Sequence, residues 1–178
     1  MEEKSFVIRK TIQRVSSAEV LIDKKSQGRM NQGLVVFVGF GFLDSNSFVL
    51  TDEYQQKILE NKNLYIPTLE KIIDKLLALR IFCDSDGKLN LSLNQVQGSV
   101  YCVSQFSLFA DCAKGNRPSF TKSAKPFLAK PLYDLYVDIL KKKVNSQFVF
   151  TGQFAADMQV HLCNDGPLTI NSEYSLGM

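Results

Sequence analysis

The amino-acid sequence predicts a single α+β domain. Three observations carry this reading. The chain has 178 residues, about one domain's length. Short, apolar, β-branched segments outnumber the stretches with helical spacing. The two kinds also do not alternate regularly, as a doubly wound sheet would require. Hydrophobic residues make up 45% and charged residues 22% of the chain, an ordinary globular balance. A domain of this size buries a core without needing disulfides or a metal.

Residues 5–15 alternate loosely through Phe6, Ile8, Ile12 and Val15 and read as a strand. Ala18–Ile22 and Gly28–Met30 flank Asp23-Lys24-Lys25, the pattern of a hairpin. Leu34–Phe40 is almost wholly apolar and predicts a central strand. Residues 43–51 are turn-rich. A helical region follows in two pieces, Asp52–Glu60 and a second after Pro67, with Thr68 as its expected N-cap. Leu69, Ile72, Ile73, Leu76 and Leu77 give that second piece one apolar face.

Asp84-Ser85-Asp86-Gly87 reads as a turn, and Ser99–Phe106 as another buried strand ending in Ser104-Gln105. Residues 111–126 are loop-like and basic, with Lys114, Arg117, Lys122 and Lys125. Leu128, Leu132, Leu135, Tyr136, Ile139 and Leu140 mark another amphipathic helix, in which Pro131 belongs to the first turn or makes a kink. Phe148–Phe150 and Met158–Leu162 read as strands, and residues 171–178 as a loose tail.

Scarcities narrow the function. There is one histidine, His161, so any Ser-His or Cys-His catalysis runs through it, and a histidine-rich zinc site is excluded within one chain. In Met158–Leu162 it alternates with apolar neighbours and reads first as a structural strand residue. Cys83, Cys102, Cys112 and Cys163 form no C-x-x-C pair. They read as reduced thiols, with Cys102 and Cys163 buried and Cys112 placed beside Lys114. The opening MEEKSFVIRK lacks the apolar core of a signal peptide, and no apolar run has membrane-spanning length. The expectation is a cytoplasmic protein with no membrane partner. The net charge is +3, too mild to demand a nucleic-acid partner and no bar to one.

Two segments stand apart. Val103-Ser104-Gln105-Phe106-Ser107-Leu108 sets two hydroxyls, an amide and backbone N–H groups where a buried strand ends. Such donors, fixed in a partly dry site, stabilise developing negative charge; the plainer reading is a satisfied polar strand end. Asn164-Asp165-Gly166-Pro167-Leu168-Thr169 is by composition a turn after a strand. Its Gly-Pro bond is one where cis occurs at modest cost.

Ser104-Gln105-Phe106-Ser107 resembles the Ser-Gln-Phe-Thr motif of the D-aminoacyl-tRNA deacylases, and Asn164–Thr169 resembles their Asn-x-Gly-Pro-x-Thr motif. Ile12–Ala18, Lys114–Phe120 and Thr151–Met158 are similar to three further segments of that family, in the same order. The resemblance implies a compact single α+β domain, dimeric, with a mainly antiparallel, barrel-like sheet core and two to three helices. It implies hydrolysis of the ester joining a D-amino acid, or mischarged glycine (as on tRNA-Ala), to tRNA. It implies no cofactor, no metal and no DNA partner.

By the same resemblance, Gly166 and Pro167 are joined by a cis bond and enter the partner subunit's pocket as a chirality filter. Arg14 holds that motif. Phe120 lies near the terminal adenosine. Gln105 and the Phe106 N–H supply oxyanion donors, and Ser107 is a pocket residue or a nucleophile. Ser104, Met158, Asn164 and Thr169 complete the substrate side. Residues 43–67 exceed the family's usual connection and read as an insertion. Two other classes stay open: a non-catalytic RNA-binding module using the 114–125 loop, and a serine or cysteine hydrolase using His161.

Overall fold

The computed structural model describes residues 6–43 and 50–176. Its element order is β1 (Phe6–Ile22), β2 (Lys25–Met30), β3 (Gly33–Phe42), α1 (Asp52–Glu60), α2 (Ile66–Leu77), β4 (Phe82–Cys83), β5 (Leu89–Leu91), β6 (Ser99–Ser104), α3 (Pro126–Lys143), β7 (Val149–Thr151) and β8 (Gln159–Ser175). Short 3₁₀ turns cover Lys62–Tyr65 and Phe106–Phe109.

β1 organises the sheet. Its first half pairs with β3 and its second half with β2, while β8 pairs along its opposite edge, all antiparallel. β6 and β7 then extend the sheet from β3 in parallel. The sheet curls until β2 nears β7: a Cβ added to Gly28 would come within 2.7 Å of the Phe150 ring. The result is a nearly closed, barrel-like mixed sheet.

β3 alternates around its pleat, so both of its faces are buried. Leu34, Val36, Val38 and Phe40 pack against the apolar faces of α2 and α3, while Val35 joins a smaller cluster with Val15, Val20, Tyr101 and Val103. This is the double burial expected of a continuous apolar strand. No helix among the described residues is long and apolar enough to cross a membrane.

Three local expectations need correction. Residues 171–175 are not a loose tail: they continue β8 against the start of β1, and Leu176 is buried. Thr68 is not the N-cap of α2, which starts at Ile66 without a side-chain cap and takes Pro67 into its first turn. Proline fits there because a first-turn N–H has no intrahelical acceptor to lose. Pro131 lies inside α3, beyond its first turn, and withholds the donor that the Phe127 carbonyl would otherwise meet. Of the expected insertion, residues 44–49 lie outside the described residues. The remainder forms α1 and the following 3₁₀ turn, and packs Ile58 and Tyr65 into the core.

Lys10 is buried to 2% exposure, its Nζ lying 4.9 Å from the centre of the Tyr174 ring. Burial depresses its pKa from 10.5 to about 8, with a small opposing effect from Cys102. Between those two values the unfolded chain keeps a proton that the folded chain has released, so stability rises with pH across that window. We expect Lys10→Met to be the more stable protein at pH 7. Urea denaturation should show that advantage shrinking by about 3 kcal/mol as pH rises past 10.

Candidate active site

The candidate site forms where β6 ends beside β3. The Gln105 N–H donates to the Val38 carbonyl at 2.8 Å, which carries the chain past the strand end. The Phe106–Phe109 3₁₀ turn follows at once. The N–H groups of Phe106 and Ser107 open that turn, where no intrahelical carbonyl reaches them. Gly39 is needed opposite: a Cβ there would meet the Gln105 carbonyl at 2.6 Å. The side chain of Gln105 donates from Nε2 to Ser107 Oγ at 2.5 Å.

Gly39, Gln105 and Phe106 border a cavity of about 730 Å³. Ser104, Gln105 and Phe106 form one wall. Phe120, Thr121 and Ser123 form another, and Met158 closes a third with Asp157 and Val160. Exposed Phe106 and Phe120 meet edge to face at 4.9 Å, and Ser123 Oγ donates to the Phe106 carbonyl at 3.0 Å. Ser107 faces elsewhere, lining a shallower cleft with Arg9, Thr11 and Asn171.

The loop bearing Phe120 is stitched down by backbone bonds. Asp111 and Ser119 exchange both N–H···O bonds, at 2.8 and 2.9 Å, and the Phe42 N–H donates to the Lys122 carbonyl at 2.8 Å. The carboxylate of Asp111 accepts from the Ala113 N–H, which is the first cause holding its pKa below the usual range. Lys114 and Arg117 are exposed in the loop closed by this pairing. Lys122 pairs with Asp111, and Lys125 with Asp52.

The second motif is not a turn after a strand; it is a looped-out step within β8. Gln13 faces Thr169 and Val15 faces Asn164, so two residues of β1 span five of β8. The Gly166–Pro167 peptide is cis, and both residues are exposed. The Asn164 amide, oriented with its nitrogen toward the carbonyls, donates to Leu168 O and Arg14 O, and accepts from Gln13 Nε2 and Thr169 Oγ1.

Arg14 braces the loop from below. Its Nε donates to the Asp165 carbonyl at 3.1 Å and lies 3.2 Å from that carboxylate, while Nη1 donates to the Ile81 carbonyl at 2.7 Å. Gly166 has φ +124°, and a Cβ on it would lie 2.9 Å from Arg14 Nη2. The motif is thus braced from within its own chain. Within that chain, neither Gly166, Pro167, Asn164, Thr169 nor Arg14 lines the cavity holding Ser104, Gln105, Phe106, Phe120 and Met158.

The other candidates separate. His161 is exposed on β8 opposite Glu19 and lines neither cleft. If the strand-end groups are the catalytic ones, His161→Ala should leave turnover within about twofold of wild type, since a surface substitution away from the site is near neutral; loss of turnover would point to His-based catalysis. Cys102 is buried and its thiol is pushed up to about 12, mainly by burial, so it is inert. Cys163 is exposed rather than buried, because its side of edge strand β8 faces outward. Asp84 is occupied by its own turn, accepting from the Asp86 and Lys88 N–H groups and from Asn90. Among the described residues, no three His, Cys, Asp or Glu side chains gather to hold a metal ion.

One wall residue was not foreseen. Gln55 of α1 lines the cavity with only 1% exposure. A polar residue three positions before buried Ile58, on the inward face of a short helix, is the signal that marks it.

The fold fixes the class first: this is the α+β domain of two solved structures. One, titled "c-Myc DNA Unwinding Element Binding Protein", superposes with a TM-score of 0.73 at 30% identity, covering 92% of this chain and 97% of that one. The other, titled as the structural analysis of a probable eukaryotic D-amino acid tRNA deacylase, gives 0.71 at 19% identity, covering 94% and 100%. The sequence profile described as D-Tyr-tRNA(Tyr) deacylase matches residues 11–173. A relative from Thermotoga petrophila named D-aminoacyl-tRNA deacylase is 44% identical over 163 residues, covering 92% of this chain and 95% of its own. One of the same name from Saccharophagus degradans is 42% identical over 158 residues, covering 89% and 94%. The chain belongs to the D-Tyr-tRNA(Tyr) deacylase family.

Proposed function

We propose that this chain is a D-aminoacyl-tRNA deacylase, hydrolysing the ester between a D-amino acid and the 3′ end of tRNA. It works where tRNA is charged, in the cytoplasm, as a homodimer whose Gly166–Pro167 motif enters the partner's cavity. One observation carries the reading. The strand-end donors border a cavity that the braced, exposed motif of the same chain does not line. A second copy brings the two together.

The chemistry then follows from positioning. Carbonyls on the rigid motif hold the substrate's α-ammonium, and the cavity wall holds the terminal nucleoside near Phe120. With ammonium and ester carbon fixed, a D side chain points outward and an L side chain strikes the motif. Glycine has no side chain to strike, so glycyl-tRNA (including glycine mischarged on tRNA-Ala) is also a substrate.

The ester is already activated. The ribose 2′-hydroxyl of the substrate orients the attacking water, and Gln105 with the Phe106 N–H stabilises the oxyanion. Ser107, tied to Gln105 outside the main cavity, orients that amide and is not the nucleophile. Ser104, Met158, Asn164 and Thr169 shape the walls and the motif.

The test is single-turnover hydrolysis of D-Tyr-tRNA, L-Tyr-tRNA and Gly-tRNA by the purified protein. The first and third should be cleaved and the second spared. Equal rates for both enantiomers contradict the reading. Salt-sensitive RNA binding without cleavage points instead to the RNA-binding module.

A further inference from the structure

We infer that Gln55 reads the base at the 3′ terminus of the substrate through a hydrogen bond donated by its Nε2. The inference rests on the proposed reading of the cavity as the site of the terminal nucleoside.

α1 carries Gln55 onto the cavity wall, where its side chain is almost completely buried. Its Oε1 accepts from the Lys125 N–H at 2.9 Å, at the start of α3. The Lys125–Asp52 ion pair clamps the first turn of α1 to the same point. With the oxygen committed, the amide plane is fixed. Nε2 is buried without an acceptor among the described residues. A buried donor in that state is stabilised by a ligand that brings an acceptor.

The neighbouring walls select the ligand's chemistry. Leu50, Pro126, Ala129 and Phe120 are apolar and suit a flat heterocycle better than a phosphate. The D side chain is directed outward in the proposed geometry, so it does not reach Gln55. An adenine offers N1, N3 and N7 as ring acceptors, and one donor engages one of them.

The probe is a non-hydrolysable analogue, D-tyrosine amide-linked to 3′-amino-3′-deoxyadenosine, with 1-deaza, 3-deaza and 7-deaza counterparts. The wild-type protein should bind one deaza analogue about tenfold more weakly than the parent, the usual effect of one net hydrogen bond. Gln55→Glu keeps an acceptor for the Lys125 N–H and removes the donor. It should bind the parent at least about tenfold more weakly and no longer distinguish that analogue. Its KM for D-Tyr-tRNA should rise in the same proportion, with kcat within about twofold.

Equal wild-type affinity for the parent and all three deaza analogues overturns the inference, whether or not the variant folds. So does Gln55→Glu retaining the parent's KM while wild type cleaves D-Tyr-tRNA normally; the deacylase reading then survives alone. A wild type that neither binds the parent nor cleaves D-Tyr-tRNA overturns both.

Discussion

Gln105→Ala is expected to slow hydrolysis of D-Tyr-tRNA by roughly 10²–10³-fold, the usual effect of deleting one oxyanion donor. The residue sits in extended backbone between β6 and the 3₁₀ turn, held by its own N–H on the Val38 carbonyl. That bond survives truncation of the side chain, so the fold and the melting temperature should change little. Among the described residues, the side chain's hydrogen-bond partner is Ser107 Oγ. Ser107→Ala should therefore act through Gln105, lowering kcat several-fold with little change in KM. Stopped reactions on pre-charged tRNA measure both. If Ser107→Ala abolishes turnover and Gln105→Ala does not, a serine nucleophile is the better account.

The second large effect concerns selectivity rather than rate. Pro167→Ala removes the ring from an exposed loop whose supports are Arg14, Gln13, Asn164 and Thr169. Those supports remain in the variant. Cleavage of L-Tyr-tRNA should rise roughly tenfold or more, the equivalent of removing a clash worth about 1.4 kcal/mol. Cleavage of D-Tyr-tRNA should fall less. A rise in L-cleavage sets this apart from ordinary damage, which lowers both rates together.

The hydrophobic core was legible because β3, α2 and α3 announce themselves by spacing. Leu34–Phe40 can only be buried, and Leu69, Ile72, Ile73 and Leu76 share one face of a helix. The end of β8 was not legible, because an edge strand is held by backbone bonds to β1, and its side chains alternate among polar types such as Ser172 and Glu173. The start of α2 was misplaced by three residues because Thr68 looks like a cap, while the helix takes Pro67 in its first turn and uses no side-chain cap.

The candidate site divides in the same way. Gln105, Phe106 and the Gly166–Pro167 pair were visible as motifs. Their separation within one chain was implied only by the family resemblance and not by the residues themselves, since it depends on where β8 loops out opposite Val15. Gln55 escaped notice because its importance comes from the Lys125 N–H, 70 residues away, and from a cavity that no local pattern encodes.

The most direct test uses heterodimers carrying Gln105→Ala in one protomer and Pro167→Ala in the other. If each motif serves the opposite cavity, one site combines intact Gln105 with an intact motif. Such dimers should keep the full D-over-L selectivity of wild type at about half its activity. If instead their selectivity falls to that of Pro167→Ala homodimers, the motif acts in its own chain and the shared-site account is wrong.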